Sequence, residues 1–347
     1  MRIENIQIGE SHDPVIIAEI SGNHNQSLDT ALALVEAAKN AGVHLLKLQT
    51  YKPDTITMDI SKGEFVISDP TSLWFGRTLY SLYEEAHMPW EWQNEIMSLS
   101  KNLGMPCFSS VFDETSVEFL ESLDVCAYKI ASQEIVHLPL IKRVAETGKP
   151  IILSTGMASL SEIEEAVNMV RKTSSADFAL LKCSSSYPAP PEFSNLSTIP
   201  MLRKLFSCEV GLSDHTHGIG VPLAAIALGA TVVEKHITLD KRDGGVDSGF
   251  SSEPNEFKQL IEESVRVKAA IGNVGFGSTP ADESSMSGRR SIYISEDVAE
   301  NEVLTEKNIR VVRPNLGLPP KYISVVLGRR LNASAKKGTP LSWSLLL

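Results

Sequence analysis

A chain of 347 residues, 42% hydrophobic and 22% charged, can bury a full core, and its length suits one barrel of ~250 residues plus a small module, or two mid-sized domains. Its 32 Lys and Arg against 43 Asp and Glu leave a formal net charge of −11, which argues against nucleic acid or an anionic membrane as partner, since either needs a dominant basic face. A small anionic substrate stays open, because a few lysines focused in a cleft outweigh a diffuse acidic surface.

No apolar run reaches the ~18 residues that a membrane helix needs, and the start, MRIENIQIGE, lacks the charged-then-apolar layout of a signal peptide. The expectation is a cytoplasmic protein with no membrane partner. Cys107, Cys126, Cys183 and Cys208 lie in or beside apolar runs without paired spacing, which predicts buried free thiols.

In chain order, the short β-rich runs are VIIAEIS (15–21), HLLKLQT (44–50), PCFSSVF (106–112), AYKIAS (127–132), PIILSTG (150–156), FALLKCSSS (178–186), EVGLSDH (209–215) and TVVEKHITL (231–239). Amphipathic stretches separate them, among them 27–42 and 159–172, with Ser27 and Ser159 as N-caps and Gly42 as a stop. Eight strand–helix units close most economically into a (β/α)8 TIM barrel, an α/β fold. An open doubly wound sheet would expect GxGxxG after its first strand, and that motif is absent there. Residues 52–77 read as a long βα insertion of the kind that covers a site. The Gly, Ser and Pro content of 272–288 predicts a linker, so the expected organisation is a barrel over 1–271 and a compact module over 289–347.

Barrel chemistry sits at the C-terminal strand ends, where alternate residues point inward. Leu46 and Leu48 facing the helices turn Lys47 and Gln49 inward, and Ala18 and Ile20 do the same for Glu19. Further along, strand ends supply Ser109 and Ser110, then Lys129 and Ser132, then Ser154, then Lys182, Ser184 and Ser185. A hydrogen-bonded core position explains any one of these. Three converging lysines, Lys47, Lys129 and Lys182, would repel one another unless an anion such as a phosphate or carboxylate neutralised them. Ser213 with His215, and Glu234 with His236, face inward on the last two strands. Two imidazoles on neighbouring strand mouths suit one divalent cation with open positions, the alternative being satisfied core histidines. His217 lies past the strand end and ranks below them.

The strings IAEISGNHNQS (17–27), KLQTY (47–51), YKIAS (128–132), ILSTGM (152–157), GLSDHT (211–216) and EKH (234–236) together resemble the sialic acid synthase family over nearly the whole chain. The segments VVRPNLGLPP (311–320) and LGRRLNASAKKGTPL (327–341) resemble that family's C-terminal antifreeze-like (SAF, β-clip) domain. The resemblance implies a transferase that joins phosphoenolpyruvate to an acetamido sugar, giving a nine-carbon 2-keto acid and phosphate. LWFGRTLYSLYEEAHMPWEW (73–92) and LKCSSSYP (181–188) are most similar to the pseudaminic acid branch, whose sugar is 2,4-diacetamido-2,4,6-trideoxy-altropyranose. In the neuraminate branch His often matches Lys182, and Asn often matches Ser185. Legionaminate or N-acetylneuraminate synthesis is the alternative, with the same chemistry on another sugar.

The resemblance also assigns roles. Lys47, Lys129 and the hydroxyls of Ser110, Ser132, Ser154 and Ser213 match positions that bind phosphoenolpyruvate. For the chemistry so implied, Glu19 and Glu134 are the candidates for stabilising developing charge and moving protons, Glu19 ahead of Glu134, and a divalent ion held by His215 and His236 would polarise the aldehyde. Imidazoles alone suit zinc as well, but the resemblance favours Mn²⁺ or Mg²⁺. Gln49, Lys182, Ser185, Tyr187 and Asp247 fall on the sugar side. Arg313 is similar to an arginine that enters a neighbouring subunit's site, which implies a domain-swapped homodimer working in surface glycan synthesis.

Two other classes compete. A metal-dependent barrel hydrolase expects histidines over several strands with an early HxH, whereas His215-Thr216-His217 comes at the seventh. A sugar- or ice-binding protein, suggested by the tail alone, expects a charge-poor face, yet the tail carries Lys321, Arg329, Arg330, Lys336 and Lys337.

Overall fold

The computed structural model describes residues 1–347, which divide into two compact units, Met1–Gly272 and Asn273–Leu347. The first opens with an unexpected hairpin, β1 (Arg2–Ile3) antiparallel to β2 (Ile6–Gln7), whose two-residue runs are too short for a period of two to register. Ile3 and Ile8 nevertheless join the barrel core.

Eight parallel strands follow: β3 (Val15–Glu19), β4 (Leu45–Thr50), β5 (Cys107–Val111), β6 (Tyr128–Ile130), β7 (Ile151–Ser154), β8 (Phe178–Cys183), β9 (Glu209–Asp214) and β10 (Val232–His236). They close into a barrel in chain order, β10 meeting β3, so the sheet is not open. Both faces of each strand are covered, and every residue of β3 and β10 is buried. At Gly211 two strands approach so closely that a Cβ would lie 2.1 Å from the Val232 carbonyl oxygen, which only glycine avoids.

The expected caps form. Ser27 accepts from the Thr30 N–H at the start of helix Leu28–Asn40, and Gly42 leaves it at φ +89°. Ser159 and Glu162 make a capping box before helix Leu160–Thr173. The insertion after β4 is more than bare loop. A short helix, Pro53–Ile56, and a 3-10 turn, Gly63–Phe65, interrupt it, and helices Leu79–Ala86 and Trp90–Asn102 lead back to β5. Trp74 pins it beside the strand ends, its Nε1 donating to the Val246 carbonyl at 3.1 Å. Helix Pro254–Ile271 closes the unit. No helix is long and apolar enough to cross a membrane. All four cysteines are free, with Cys107 and Cys183 buried and Cys126 and Cys208 only half-buried.

The second unit pairs β11 (Ser291–Ile294) with β12 (Ile309–Val312) antiparallel and packs its own core of Ile292, Ile294, Leu304, Ile309, Val326, Leu331 and Leu341. The stretch expected as a linker is partly ordered: a 3-10 turn, Pro280–Asp282, boxed by Thr279 and Asp282, runs into helix Glu283–Met286.

Candidate active site

Strand register builds the site. His236, Glu19 and Lys47 stand opposite one another on β10, β3 and β4, and Gln49, Ser110 and Lys129 do so on β4, β5 and β6. Partners in parallel register share a face, so each row turns inward together. They enter a cavity of about 380 Å³ at the C-terminal strand ends. Its wall includes Glu19, Lys47, Gln49, Ser110, Lys129, Ser132, Glu134, Ser154, Tyr187, Ser213, His215, His236 and Asp247.

Charge on the floor is arranged around Glu234, which the sequence placed inward but gave no task. Its Oε1 lies 2.8 Å from Lys47 Nζ and 3.2 Å from Lys129 Nζ, and accepts from the Ser213 hydroxyl at 3.0 Å. Glu19 meets Lys47 at 3.0 Å and accepts from the Gln49 amide at 2.6 Å. The buried lysines are thus balanced by protein carboxylates, correcting the expectation that an outside anion must do it. Burial opposes the Lys47 charge, but Glu19 and Glu234 outweigh it and hold this ammonium above its ordinary range. Burial wins at Lys129, lowering its pKa despite Glu234. Beside them, the hydroxyls of Ser132 and Ser154 and one oxygen of Glu234 are buried with no hydrogen-bond partner in the protein. Such atoms are costly unless a ligand pairs with them. Gly156 makes room for this corner: at φ +33°, a Cβ there would lie 2.4 Å from that of Ser132.

The carboxyls diverge. Burial alone would raise Glu19, but Lys47 and His236 outweigh it and hold this carboxylate well below its usual range. Glu134 has little to offset burial and is pushed up to about 7, its buried Oε2 unpartnered.

The imidazoles of His215 and His236 lie 5.2 Å apart between ring centroids, with Phe250 edge-on to both. His215 Nδ1 is 2.9 Å from the Ser184 carbonyl, which can only accept, so Nδ1 carries the proton, and the ring also faces the Cys183 thiol. His236 Nε2 is 3.1 Å from Glu19, while its buried Nδ1 has no hydrogen-bond partner and lies 3.9 Å from Asp247. Two neighbouring imidazoles beside the carboxylates of Glu19 and Asp247 fit a divalent cation with mixed nitrogen and oxygen ligands. No three His, Cys, Asp or Glu side chains meet in ligating geometry, so the two imidazoles are the nitrogen donors a cation would find here.

The cavity rim is aromatic, a feature that no period in the sequence marks. Trp74 leans on Tyr187 at 6.0 Å, and Tyr187 on His215 at 4.5 Å and Phe250 at 5.2 Å. Ile56, Leu82, Ala86 and Val246 add aliphatic surface. Asp247 is fixed by the Ser21 hydroxyl and the Gly22 N–H.

Three expected site residues stand apart. Lys182 is not inward: Cys183 pairs with Ser213 and lines the cavity, so Lys182 turns to the other face, where its Nζ donates to the Cys183 carbonyl at 2.7 Å. Ser185 does not line the cavity, and its buried hydroxyl lies against Gly156. Arg313 is exposed on the second unit. Conversely, Cys183 is more than an inert core thiol. Burial raises it, but His215 outweighs that and draws it down to about 7. His217 is exposed and away from the cavity.

Comparison with known proteins gives the same fold and more. The NeuB family model matches residues 34–275, and a SAF domain model matches 289–347. The chain is 41% identical over 329 residues to the pseudaminic acid synthase of Campylobacter jejuni, covering 94% of each. It is 41% identical over 330 residues to that of Helicobacter pylori, covering 95% of this chain and 96% of the other. Among solved structures it resembles the N-acetylneuraminic acid (sialic acid) synthetase of Leptospira borgpetersenii in complex with citrate, with a TM-score of 0.74 and 30% identity over 82% of this chain and 94% of that one. With a closed barrel, a family model that matches 34–275 and this likeness along almost its whole length, the chain belongs to the NeuB family.

Proposed function

We propose that this chain is a nonulosonic acid synthase of the pseudaminic type. It joins phosphoenolpyruvate to 2,4-diacetamido-2,4,6-trideoxy-altropyranose and releases phosphate and a nine-carbon 2-keto acid. The observation that carries the reading is the floor, where two buried lysines and the unpartnered hydroxyls of Ser132 and Ser154 adjoin a pair of imidazoles. The likeness to two pseudaminic acid synthases supports the choice of sugar.

Lys47 and Lys129, with Ser110, Ser132, Ser154 and Ser213, bind the phosphate and carboxylate through charge-assisted hydrogen bonds. C3 of phosphoenolpyruvate bonds to the aldehyde carbon of the open-chain sugar, whose oxygen takes a proton. C2 gains cationic character, water bonds to it and gives up a proton, and the bond from C2 to the phosphate oxygen then breaks as the new C2 hydroxyl passes its remaining proton to the departing phosphate and becomes the keto group. Glu19, held anionic, faces the developing positive charge, and Glu134, poised near neutrality, moves the protons. His215 and His236 would hold Mn²⁺ or Mg²⁺, which would supply Lewis-acid polarisation of the aldehyde oxygen. Gln49, Tyr187 and Asp247 contact the sugar. Lys182 and Ser185, off the cavity wall, act on it only through the backbone around Cys183 and Gly156. Arg313 reaches the cavity of a second copy in a domain-swapped homodimer and grips an acetamido carbonyl.

The test is phosphate release from phosphoenolpyruvate with Mn²⁺ or chelator, offering the altrose sugar, N-acetylmannosamine and the legionaminate precursor in parallel. Release with the altrose sugar alone, abolished by chelator, is expected. Release with another sugar moves the enzyme to a sister branch. No release from folded, metal-supplied protein overturns the condensation.

A further inference from the structure

Behind the two imidazoles, on the helix-facing side of the barrel, lies a second pair of charges that no step above uses. Asp214 immediately precedes His215, Lys235 immediately precedes His236, and the two stand opposite each other in the register of β9 and β10. Lys235 Nζ is 2.6 Å from Asp214 Oδ2 and donates to the Thr216 carbonyl at 2.5 Å. Asp214 accepts in turn from the Thr216 N–H at 3.3 Å and its hydroxyl at 2.9 Å. Asp214, Thr216 and Lys235 are at most 3% exposed, and none of them lines the cavity.

Stability alone gives no reason for this pair. Burying two ions costs about what their attraction returns, and apolar residues of similar volume often serve as well. What such residues lack is direction. One ammonium here grips both the end of β9 and the turn beyond it, with His215 between the two points held. It does so from the residue next to His236. The strand ends therefore cannot part or slide without breaking buried charged hydrogen bonds.

We propose that Asp214 and Lys235 are positioning residues that set the separation and aim of the His215 and His236 imidazoles for one divalent cation. The proposal rests on the reading of those histidines as cation ligands. Groups behind metal ligands commonly govern metal affinity by about 10- to 100-fold.

The experiment uses the full chain, stripped of metal, and measures Mn²⁺ binding by titration calorimetry and phosphoenolpyruvate binding separately. In the double variant Asp214→Asn, Lys235→Met, which removes both charges together, Mn²⁺ should bind about 10- to 100-fold more weakly. Phosphoenolpyruvate affinity, set by Lys47 and Lys129, should stay within about twofold, and excess Mn²⁺ should restore kcat. Lys235→Arg alone, which keeps both charges but changes how they meet, should give a smaller loss of the same kind and serves if the double variant does not fold. Unchanged Mn²⁺ affinity overturns the positioning role alone. Equal loss of both ligands overturns it too, because that reports general loosening. Wild-type protein that binds phosphoenolpyruvate but takes up no Mn²⁺ overturns the ligand reading and this proposal together.

Discussion

Glu19 and Glu134 share one cavity, yet their surroundings drive them in opposite directions: Lys47 and His236 hold Glu19 ionised, while burial pushes Glu134 up to about 7. Environments that separate two carboxyls in this way divide the labour between a fixed anion and a proton carrier. Glu134 is neutral below about 7 and ionises above it. A step that needs its proton should therefore slow as pH rises through that value. Glu134→Gln should erase this limb of the kcat/KM profile and lower the plateau on the order of 10²- to 10⁴-fold. The same shift has a stability sign. A folded pKa raised above the unfolded one gives stability that is complete below about 4.5 and lost as pH climbs toward 7. Melting curves against pH should show this loss in the wild type and not in the variant.

Glu234 is the internal counter-ion of the floor. Replacing it with Gln leaves Lys47 and Lys129 facing each other with only Glu19 to balance them, and should destabilise the protein by about 3–5 kcal/mol. An added anion can take the vacated role. Inorganic phosphate or phosphoenolpyruvate should then raise the Tm of Glu234→Gln more than that of the wild type. Equal shifts in thermal scans would mean that the lysines do not depend on this carboxylate.

Gly156 offers a narrower probe of the phosphate corner. Alanine there must adopt a positive φ and push against Ser132. Displacing one hydroxyl from a charged ligand forfeits about 1.5–3 kcal/mol, so KM for phosphoenolpyruvate should rise on the order of tenfold or more. The KM for the sugar should barely move. Steady-state kinetics with each substrate varied in turn checks this.

Removing the imidazoles should separate binding from chemistry. His236→Ala should abolish metal-dependent turnover while phosphoenolpyruvate still binds, since Lys47 and Lys129 are untouched. Calorimetry on the variant, set beside its phosphate-release rate, reads both.

Complementation tests the second unit. Arg313→Ala keeps an intact barrel, and His236→Ala keeps an intact tail. If Arg313 serves a neighbouring copy, co-refolding the two inactive variants should recover activity that neither has alone. A mixture that dimerises yet stays inactive would confine Arg313 to its own chain, and an Arg313→Ala variant active by itself would deny it a catalytic role.

The barrel was readable because parallel strands covered on both faces leave eight apolar runs of strand length, and capping residues punctuate what lies between. Parity along a strand was readable where apolar and polar residues alternate: Leu46 and Leu48 send Lys47 and Gln49 inward. It failed in FALLKCSSS, where Leu180 and Leu181 are both apolar and neither parity stands out. The pattern there puts Lys182 in the interior, where the structure has Cys183. The role of Glu234 could not be read at all. Its partner Lys129 is 105 positions away, and only closure of the barrel brings them together. The aromatic rim was hidden for the same reason, since Trp74, Tyr187 and Phe250 come from three separate loops.

Because Lys47 and Lys129 are neutralised from within, the barrel does not wait for a ligand to finish folding. An anionic substrate bound at this floor would exchange partners with two lysines that already have carboxylates beside them.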